Sequence, residues 1–229
     1  RADMTRDEFI KEVTEGIQPP PSYFPKNAMM NKTGYDTIDE VISRGNKALT
    51  ISEFNEALEN GALILDVRTQ ADFINGFIPN SLFIGLNGTF AMWVGALIED
   101  IKRPIVLVAP EGKEEEAVLR LARVGYDHTI GYLKGGVEAF DGTLNTIKTM
   151  AAKDFEVIYR DSNIIDVRKP GEFSAEHVAD AKSYPLDFIN EHLNDLEKGT
   201  PYHVHCAGGY RSVIAISILM QNGYTDLVN

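Results

Sequence analysis

The stretch Leu65-Asp66-Val67-Arg68 returns 100 residues later as Ile165-Asp166-Val167-Arg168. The match extends beyond this tetrapeptide and keeps its order along the chain. A fixed period of this length is typical of a duplicated domain, because each copy has the size of an ordinary domain. The sequence therefore predicts two copies of one domain. The further matched positions are Phe73 with Phe173, Ile78 with Val178, Leu86 with Leu186 and, two residues out of step, Gly125-Tyr126 with Gly223-Tyr224.

Short apolar runs in both copies predict buried strands. They cover residues 62–67, 105–109 and 163–167. Helical stretches separate these runs, and strands that alternate with helices favour a mainly parallel sheet with helices on both faces. We therefore expect an α/β protein with one such domain over residues 48–145 and a second over residues 146–229, preceded by a helical and proline-rich segment over residues 1–47.

Cys206 is the single cysteine of the chain, and its surroundings are those of a reactive thiol. It follows the strand-like run Tyr202–His205, opens a loop that contains Gly208 and Gly209, and precedes an apolar helix predicted from Ser212 to Met220. The glycines allow successive backbone N–H groups to point inward, and a helix start adds partial positive charge. Both effects stabilise a thiolate, the reactive form of cysteine. The alternative is a buried and inert cysteine at a strand end.

The loop Cys206-Ala207-Gly208-Gly209-Tyr210-Arg211 resembles the active-site loop of the rhodanese family, sulfurtransferases that carry sulfur as a cysteine persulfide. Four residues separate Cys206 from Arg211, whereas phosphatases and arsenate reductases of the same fold have a longer loop. The shorter loop suits a single transferred sulfur and so favours sulfur over phosphoryl chemistry. The Asp-Val-Arg elements, followed by Phe73 and Phe173, belong to the same family pattern.

The resemblance implies a double-displacement reaction in which Cys206 and Arg211 are the catalytic residues. The Cys206 thiolate attacks the outer sulfur of thiosulfate or of a low-molecular-weight persulfide, and a second thiol or another acceptor removes that sulfur. Arg211 attracts the donor, and backbone N–H groups of the loop hold the persulfide. A phosphatase or arsenate reductase and a non-catalytic interaction module stay open as alternatives. The loop residues with this binding role are Ala207, Gly208, Gly209, Tyr210 and Ser212.

The first copy has lost the groups that this chemistry needs. Where the second copy reads Val204-His205-Cys206, the first reads Leu107-Val108-Ala109, and three glutamates follow at Glu114–Glu116. Acidic side chains at this place repel an anionic donor, although they also complement a helix macrodipole. The first copy is therefore predicted to be inactive, and it resembles the inactive rhodanese domains of tandem proteins.

The segment before the first copy differs in character. Thr5 and Glu8 form a capping box ahead of a helix that ends at Gly16, and a second helix is predicted from Thr37 to Ser43. Between them, Pro19-Pro20-Pro21 predicts extended chain, and Tyr23, Phe24 and Pro25 offer isolated apolar surface.

The stretch Gly16 to Pro25 resembles the tail of metallo-β-lactamase-fold persulfide dioxygenases. The resemblance implies such a domain before Arg1, with iron or zinc bound there and no cofactor in this chain. The second copy has five residues after Gly223-Tyr224, so its last strand and helix are expected beyond Asn229.

Composition excludes several functional classes. A net charge of −12 without a basic patch argues against nucleic acid as a partner. The longest apolar runs fall well short of the ~18 residues that a membrane span requires. One cysteine precludes an internal disulfide and is compatible with a reducing cytoplasm. Small sulfur compounds are the expected partners, and a homo-oligomer is left open.

Several other side chains are predicted to have structural roles. Because Asp-Val-Arg occurs in both copies, its charged residues are expected to hold the strand end, with Arg168 as an alternative contact for an anionic donor. The alternating His203 and His205 lack a nearby acidic partner, so a metal site is disfavoured. His205 is expected to be hydrogen-bonded at the end of the sheet or to adjust the environment of Cys206. Trp93 is expected to pack in the core or against the other domain.

Overall fold

The computed structural model describes residues 3–15 and 23–229. Thr5 caps the first helix, α1 (Arg6–Thr14), through the predicted capping box with Glu8. The predicted extended stretch Pro19–Pro21 lies outside the described residues, as does Gly16. The helix predicted from Thr37 is present as α3 (Ile38–Gly45), with Thr37 as its N-cap in a second capping box.

One helix in this region was not predicted. Helix α2 (Phe24–Thr33) has Pro25 in its first turn, where the fixed φ of proline suits the helix and its missing N–H costs nothing. Tyr23, just before this helix, is buried. A Cβ placed on Gly95 would lie 2.2 Å from the Tyr23 ring, so the glycine makes room for the tyrosine. The apolar surface that the sequence placed on Tyr23 is therefore packed against the first domain.

The first domain is a five-stranded sheet whose paired strands are all parallel, in the order β1-β5-β4-β2-β3. Buried strands alternate with helices, as predicted. A 3₁₀ turn at Gly136–Ala139 follows the last strand. The elements are β1 (Ala48–Leu49), α4 (Ile51–Glu59), β2 (Leu63–Asp66), α5 (Gln70–Asn75), β3 (Leu82–Phe83), α6 (Phe90–Leu97), β4 (Ile105–Val108), α7 (Glu114–Ala122) and β5 (Thr129–Leu133).

The second domain repeats this architecture. Its strands are also parallel, in the order β7-β6-β8-β9, and Lys148 forms a parallel bridge to Val228 at the place that β1 takes in the first domain. The predicted pair of α/β domains is thereby confirmed. The expectation that the last strand of the second copy lies beyond Asn229 is wrong, because β9 (Leu227–Val228) follows Gly223-Tyr224 and pairs with β8. The elements are α8 (Ala152–Ile158), β6 (Asn163–Asp166), α9 (Pro170–Ala175), β7 (Lys182–Ser183), a 3₁₀ segment (Leu186–Asp195), β8 (Tyr202–His205), α10 (Tyr210–Gln221) and β9 (Leu227–Val228).

The Asp-Val-Arg elements make the same contacts in both domains. Arg68 donates to both carboxylate oxygens of Asp66 and to the carbonyl of Gly76. Arg168 does the same with Asp166 and the carbonyl of Glu176. In each domain the pair ties the strand end to the end of the following helix, which is the structural role that the sequence predicted.

The two domains pack against each other through a continuous apolar core. The backbone N–H of Phe83 in β3 donates to the Ser217 hydroxyl of α10 at 3.1 Å, and both groups are buried. Trp93 is also buried in this core, in agreement with its predicted packing role. Among the described residues, no helix is long and apolar enough to cross a membrane.

Candidate active site

Cys206 lies directly after β8, at the carboxyl end of a central strand of the second sheet. This edge of a parallel sheet is where α/β proteins place their ligands. The loop turns into α10 at Gly209, whose φ of 81° is in the left-handed region that favours glycine. The backbone therefore doubles back towards the thiol, as the glycine-rich sequence predicted.

The Cys206 sulfur has hydrogen-bond partners from the loop and from the first turn of α10. The N–H of Gly209 donates to Sγ at 3.1 Å, and the Ser212 hydroxyl lies 3.5 Å from it. Burial of the thiol raises its pKa, but hydrogen bonds from Ser212, Gly208 and Gly209 outweigh that effect, so the pKa of Cys206 is lowered. The site therefore favours the thiolate.

The Ser212 hydroxyl has three neighbours for its single proton. It lies 2.9 Å from the Gly209 carbonyl, 2.5 Å from Oδ1 of Asn229 and 3.5 Å from the Cys206 sulfur. A neutral thiol can donate to this hydroxyl, which then gives its own proton to one of the oxygens. A thiolate can instead accept the hydroxyl proton. Ser212 is therefore suited to both protonation states of Cys206.

Arg211 is held by a carboxylate that the sequence analysis did not identify. Its two terminal nitrogens donate to the two carboxylate oxygens of Glu172, in α9, at 2.6 and 2.9 Å. Hydrogen bonds from Arg211, together with the N–H of Lys169, lower the pKa of Glu172 to about 2. The pKa of Arg211 is raised, first by Glu172 and to a smaller extent by the negative charge of Cys206. The guanidinium is thus fixed close to the sulfur.

A cleft of about 370 Å³ opens beside the thiol. One side is formed by the strand end and the loop from His203 to Gly209. The other side is mostly apolar, so the cleft can receive the apolar part of a small thiol as well as its sulfur. The apolar lining residues are Met150, Ala152, Phe155, Val178 and Val228.

The two histidines of β8 both line this cleft. Nε2 of His205 is buried without a hydrogen-bond partner and lies 3.6 Å from Oδ2 of Asp166. The side chain nevertheless has a hydrogen bond with the backbone of Cys206, in agreement with the hydrogen bond expected at the end of the sheet. Burial lowers the pKa of both His203 and His205, which keeps them neutral at neutral pH. Within residues 3–15 and 23–229, no group of three or more His, Cys, Asp or Glu side chains could hold a metal ion.

The corresponding loop of the first domain has a similar glycine turn but no thiol. Ala109 follows β4 as Cys206 follows β8, and Gly112 has a φ of 78°, close to that of Gly209. Glu114–Glu116 occupy the first turn of α7, where Lys113 and Arg120 both pair with Glu116. This turn presents carboxylates where α10 presents Arg211 and Ser212.

The side chain of Tyr210 also has a role that the sequence did not indicate. The sequence analysis gave Tyr210 a binding role through its backbone N–H. In the structure its hydroxyl also donates to the Gly85 carbonyl of the first domain at 3.1 Å. Neither this contact nor that of Glu172 has a local sequence signal, because the partners lie 125 and 39 residues away. A glutamate shortly after Asp-Val-Arg was the available hint for Glu172.

The protein thus has two α/β domains with parallel sheets. The second carries a cysteine loop at the carboxyl ends of its strands, so the chain is a tandem protein with one complete thiol site. The chain belongs to the rhodanese-like domain family, whose profile matches residues 50–143 and again residues 150–229. The two matches together cover well over half of the chain.

Three bacterial proteins are similar to part of the chain. An uncharacterized protein of Bacillus subtilis (strain 168), YqhL, is 32% identical over 83 residues, which are 36% of this chain and 66% of that protein. A sulfurtransferase of Allochromatium vinosum is 30% identical over 66 residues, 29% of this chain and 62% of that protein. The thiosulfate sulfurtransferase PspE of Escherichia coli K12 is 36% identical over 67 residues, 28% of this chain and 64% of that protein. The matched segments thus span slightly less than two thirds of each relative.

Proposed function

We propose that this chain is a sulfurtransferase whose second domain carries sulfur as a persulfide on Cys206. The observation that carries the proposal is the set of hydrogen bonds around Sγ, which lowers the thiol pKa by means of Gly208, Gly209 and Ser212. The same N–H groups suit the terminal sulfur anion of a persulfide, since a preorganised donor loop stabilises an anion at a fixed position. Family membership and the two relatives named sulfurtransferases support the same reaction class.

The reaction proceeds by two displacements at sulfur. The Cys206 thiolate attacks the outer sulfur of the donor, a new S–S bond forms, and the donor's own bond to that sulfur breaks. Sulfite leaves with the bonding electrons when thiosulfate is the donor, and a thiolate leaves when the donor is a low-molecular-weight persulfide. An acceptor thiolate then attacks the outer sulfur of the persulfide, and Cys206 departs as the thiolate. No external oxidant or reductant is consumed.

Arg211 is assigned to guide the donor. Its guanidinium is oriented by Glu172 and lies close enough to Cys206 to sense the sulfur's charge. The first domain takes no chemical part, because Ala109 replaces the thiol and glutamates replace the arginine.

The direct test is persulfide formation on the intact protein. After treatment with thiosulfate, mass spectrometry is expected to show an adduct of one sulfur atom on the wild type and none on Cys206→Ser. A parallel assay with a phosphate ester is expected to show no turnover. An adduct that survives in Cys206→Ser refutes the assignment of the nucleophile, and phosphate release with no sulfur uptake would favour the phosphatase alternative.

We further propose, from the resemblance of the Gly16–Pro25 stretch, that the sulfurtransferase acts together with a metallo-β-lactamase-fold persulfide dioxygenase on one polypeptide. Sulfite produced by such an enzyme is a leaving group or an acceptor at Cys206, and a shared chain raises its local concentration to about the millimolar range. The reading frame upstream of Arg1 decides this point. A stop codon followed by a start methionine immediately before Arg1 would refute it.

A further inference from the structure

The side chain of Tyr210 joins the catalytic loop to the inactive domain. Tyr210 is the first residue of α10, directly after the loop glycine Gly209. Its hydroxyl donates to the Gly85 carbonyl at 3.1 Å, and its ring meets the Phe83 ring edge-on, with centroids 5.6 Å apart. Burial raises the pKa of Tyr210 to about 12, so the hydroxyl remains a donor throughout the physiological pH range.

This contact lies one residue from the N–H that faces the sulfur. Gly209 donates its N–H to Cys206 at 3.1 Å, and its carbonyl accepts from Val213. The first domain also packs close to Gly209 itself. A Cβ on Gly209 would lie 2.9 Å from Nε2 of Gln70, in α5 of that domain. Whatever fixes Tyr210 therefore also fixes the direction of the Gly209 N–H.

The surface of the first domain that receives Tyr210 is itself firmly held. Phe83 packs with Phe73, their centroids 4.8 Å apart, and its N–H is bonded to Ser217. On the far side of Gly85, Arg120 of α7 donates to the carbonyls of Leu86 and Gly88. These contacts on both sides of Gly85 hold its carbonyl in a fixed position in the inactive domain.

We propose that the inactive first domain positions the reactive thiol, and that Tyr210 is the positioning residue through which it acts. The tyrosine anchors the start of α10 on Gly85 and Phe83, which aims the Gly209 N–H at the Cys206 sulfur. The proposal deepens the proposed function and rests on it, because it takes Cys206 as the reacting group. It gives a domain without a thiol a defined role in the reaction of the other domain.

The test compares two hydrogen bonds that the same helix makes to the first domain. Tyr210→Phe keeps the ring contact with Phe83 and removes the bond to Gly85. Gln221→Ala is the matched control, because Gln221 at the other end of α10 donates to the carbonyl of Asn80 at 2.7 Å, far along the helix from the thiol. Each variant loses one hydrogen bond between the domains, but Tyr210 alone borders the loop.

The readout is the rate of Cys206 alkylation by iodoacetamide as a function of pH, measured on the full chain. Tyr210→Phe is expected to move the midpoint of the profile upward and to slow alkylation at neutral pH by about two- to tenfold, the factor that corresponds to one net hydrogen bond. Gln221→Ala is expected to leave the midpoint unchanged. Thermal unfolding of both variants shows whether they remain folded.

An unchanged midpoint in Tyr210→Phe, or an equal shift in Gln221→Ala, would overturn the proposal. If Tyr210→Phe does not fold, Gln70→Ala takes its place and is expected to shift the midpoint in the same direction, with no shift counting against the proposal. Alkylation does not require a sulfur donor. A chain that alkylates as expected but forms no persulfide would therefore refute the proposed function while still testing the anchor.

Discussion

Arg211 and Glu172 form a two-point ion pair between the first turn of α10 and helix α9, with N–O distances of 2.6 and 2.9 Å. Glu172 also accepts from the backbone N–H of Lys169, so the carboxylate is fixed on its own helix. The planar fork of the guanidinium matches a carboxylate in this geometry. Glu172 thus partly offsets the positive charge of Arg211 and holds its guanidinium in a fixed orientation.

Glu172→Gln is expected to lower kcat for persulfide formation by about ten- to a hundredfold, the factor that corresponds to one charged hydrogen bond. The guanidinium keeps its charge but loses its fixed direction, so we expect kcat to fall more than KM changes. Glu176→Gln is the control, because Arg168 contacts only the backbone carbonyl of that residue. Steady-state kinetics with thiosulfate separate the two constants, and equal behaviour of both variants would contradict this role of Glu172.

Arg211→Ala is expected to reduce kcat/KM for thiosulfate by a factor equivalent to about 1.5–3 kcal/mol, since a charge-assisted hydrogen bond to the donor is lost. Arg211→Lys restores the charge but not the fork and is expected to recover activity only in part. Unchanged kcat/KM in Arg211→Ala would confine Arg211 to holding α9 and α10 together.

The pKa of the Cys206 thiol is expected to lie below that of an ordinary cysteine, because hydrogen bonds from Ser212, Gly208 and Gly209 outweigh the effect of its burial. Because the thiolate is the reactive form, alkylation is slow below the pKa, rises through it and levels off above it. Ser212→Ala removes the hydroxyl 3.5 Å from Sγ and is expected to move this midpoint upward. Gln221→Ala, which changes a polar residue at the other end of the same helix, provides the comparison. A downward shift in Ser212→Ala would show that the hydroxyl favours the neutral thiol instead.

The Asp66–Arg68 pair is expected to matter for stability. Asp66→Ala leaves the buried Arg68 without its carboxylate, and breaking a buried pair costs about 3–5 kcal/mol. Asp36→Ala breaks the exposed pair with Arg44 and is expected to cost less than about 1 kcal/mol. Urea unfolding of the full chain measures both, and similar losses in the two variants would argue against a special role for the buried pair.

A thiol placed in the first domain is expected to stay inactive. Ala109→Cys in a Cys206→Ser background puts a cysteine at the equivalent strand end, in a loop whose Gly112 has a φ close to that of Gly209. However, Ala109 is buried, and the following turn carries Glu114–Glu116 in place of an arginine. We expect mass spectrometry to show no persulfide on the introduced thiol after thiosulfate treatment. Sulfur uptake by this variant would show that loop shape alone is sufficient.

Local patterns predicted much of this fold. The strands around Asp66 and Asp166, the cap at Thr5 and the helix predicted from Thr37 depend on neighbours in sequence, and the structure confirms them. Helix α2 was missed because its entry is stabilised from a distance, by the packing of Tyr23 on Gly95 of the first domain.

The features of the candidate site also separate into those that a local sequence pattern predicts and those that depend on distant residues. The turn at Gly209 and the approach of its N–H to Cys206 follow from a short glycine-rich loop, which is visible in the sequence. The partners of Arg211 and Tyr210 are brought in from another helix and another domain, and no local pattern specifies them. The unpaired Nε2 of His205 is likewise a result of tertiary packing.

The bridge between Lys148 and Val228 attaches the segment between the two domains to the sheet of the second domain. Asn229 exchanges backbone hydrogen bonds with Lys148 and Met150, while its side chain accepts from Ser212, the neighbour of the Cys206 sulfur. The segment that joins the domains thus makes an isolated β-bridge at the edge of the second sheet, and the side chains of Asn229 and Ser212 connect it to the thiol. A fragment that begins after Met150 would lose this bridge and the backbone hydrogen bonds to Asn229, so we expect the second domain to keep these contacts only if the cut falls before Lys148.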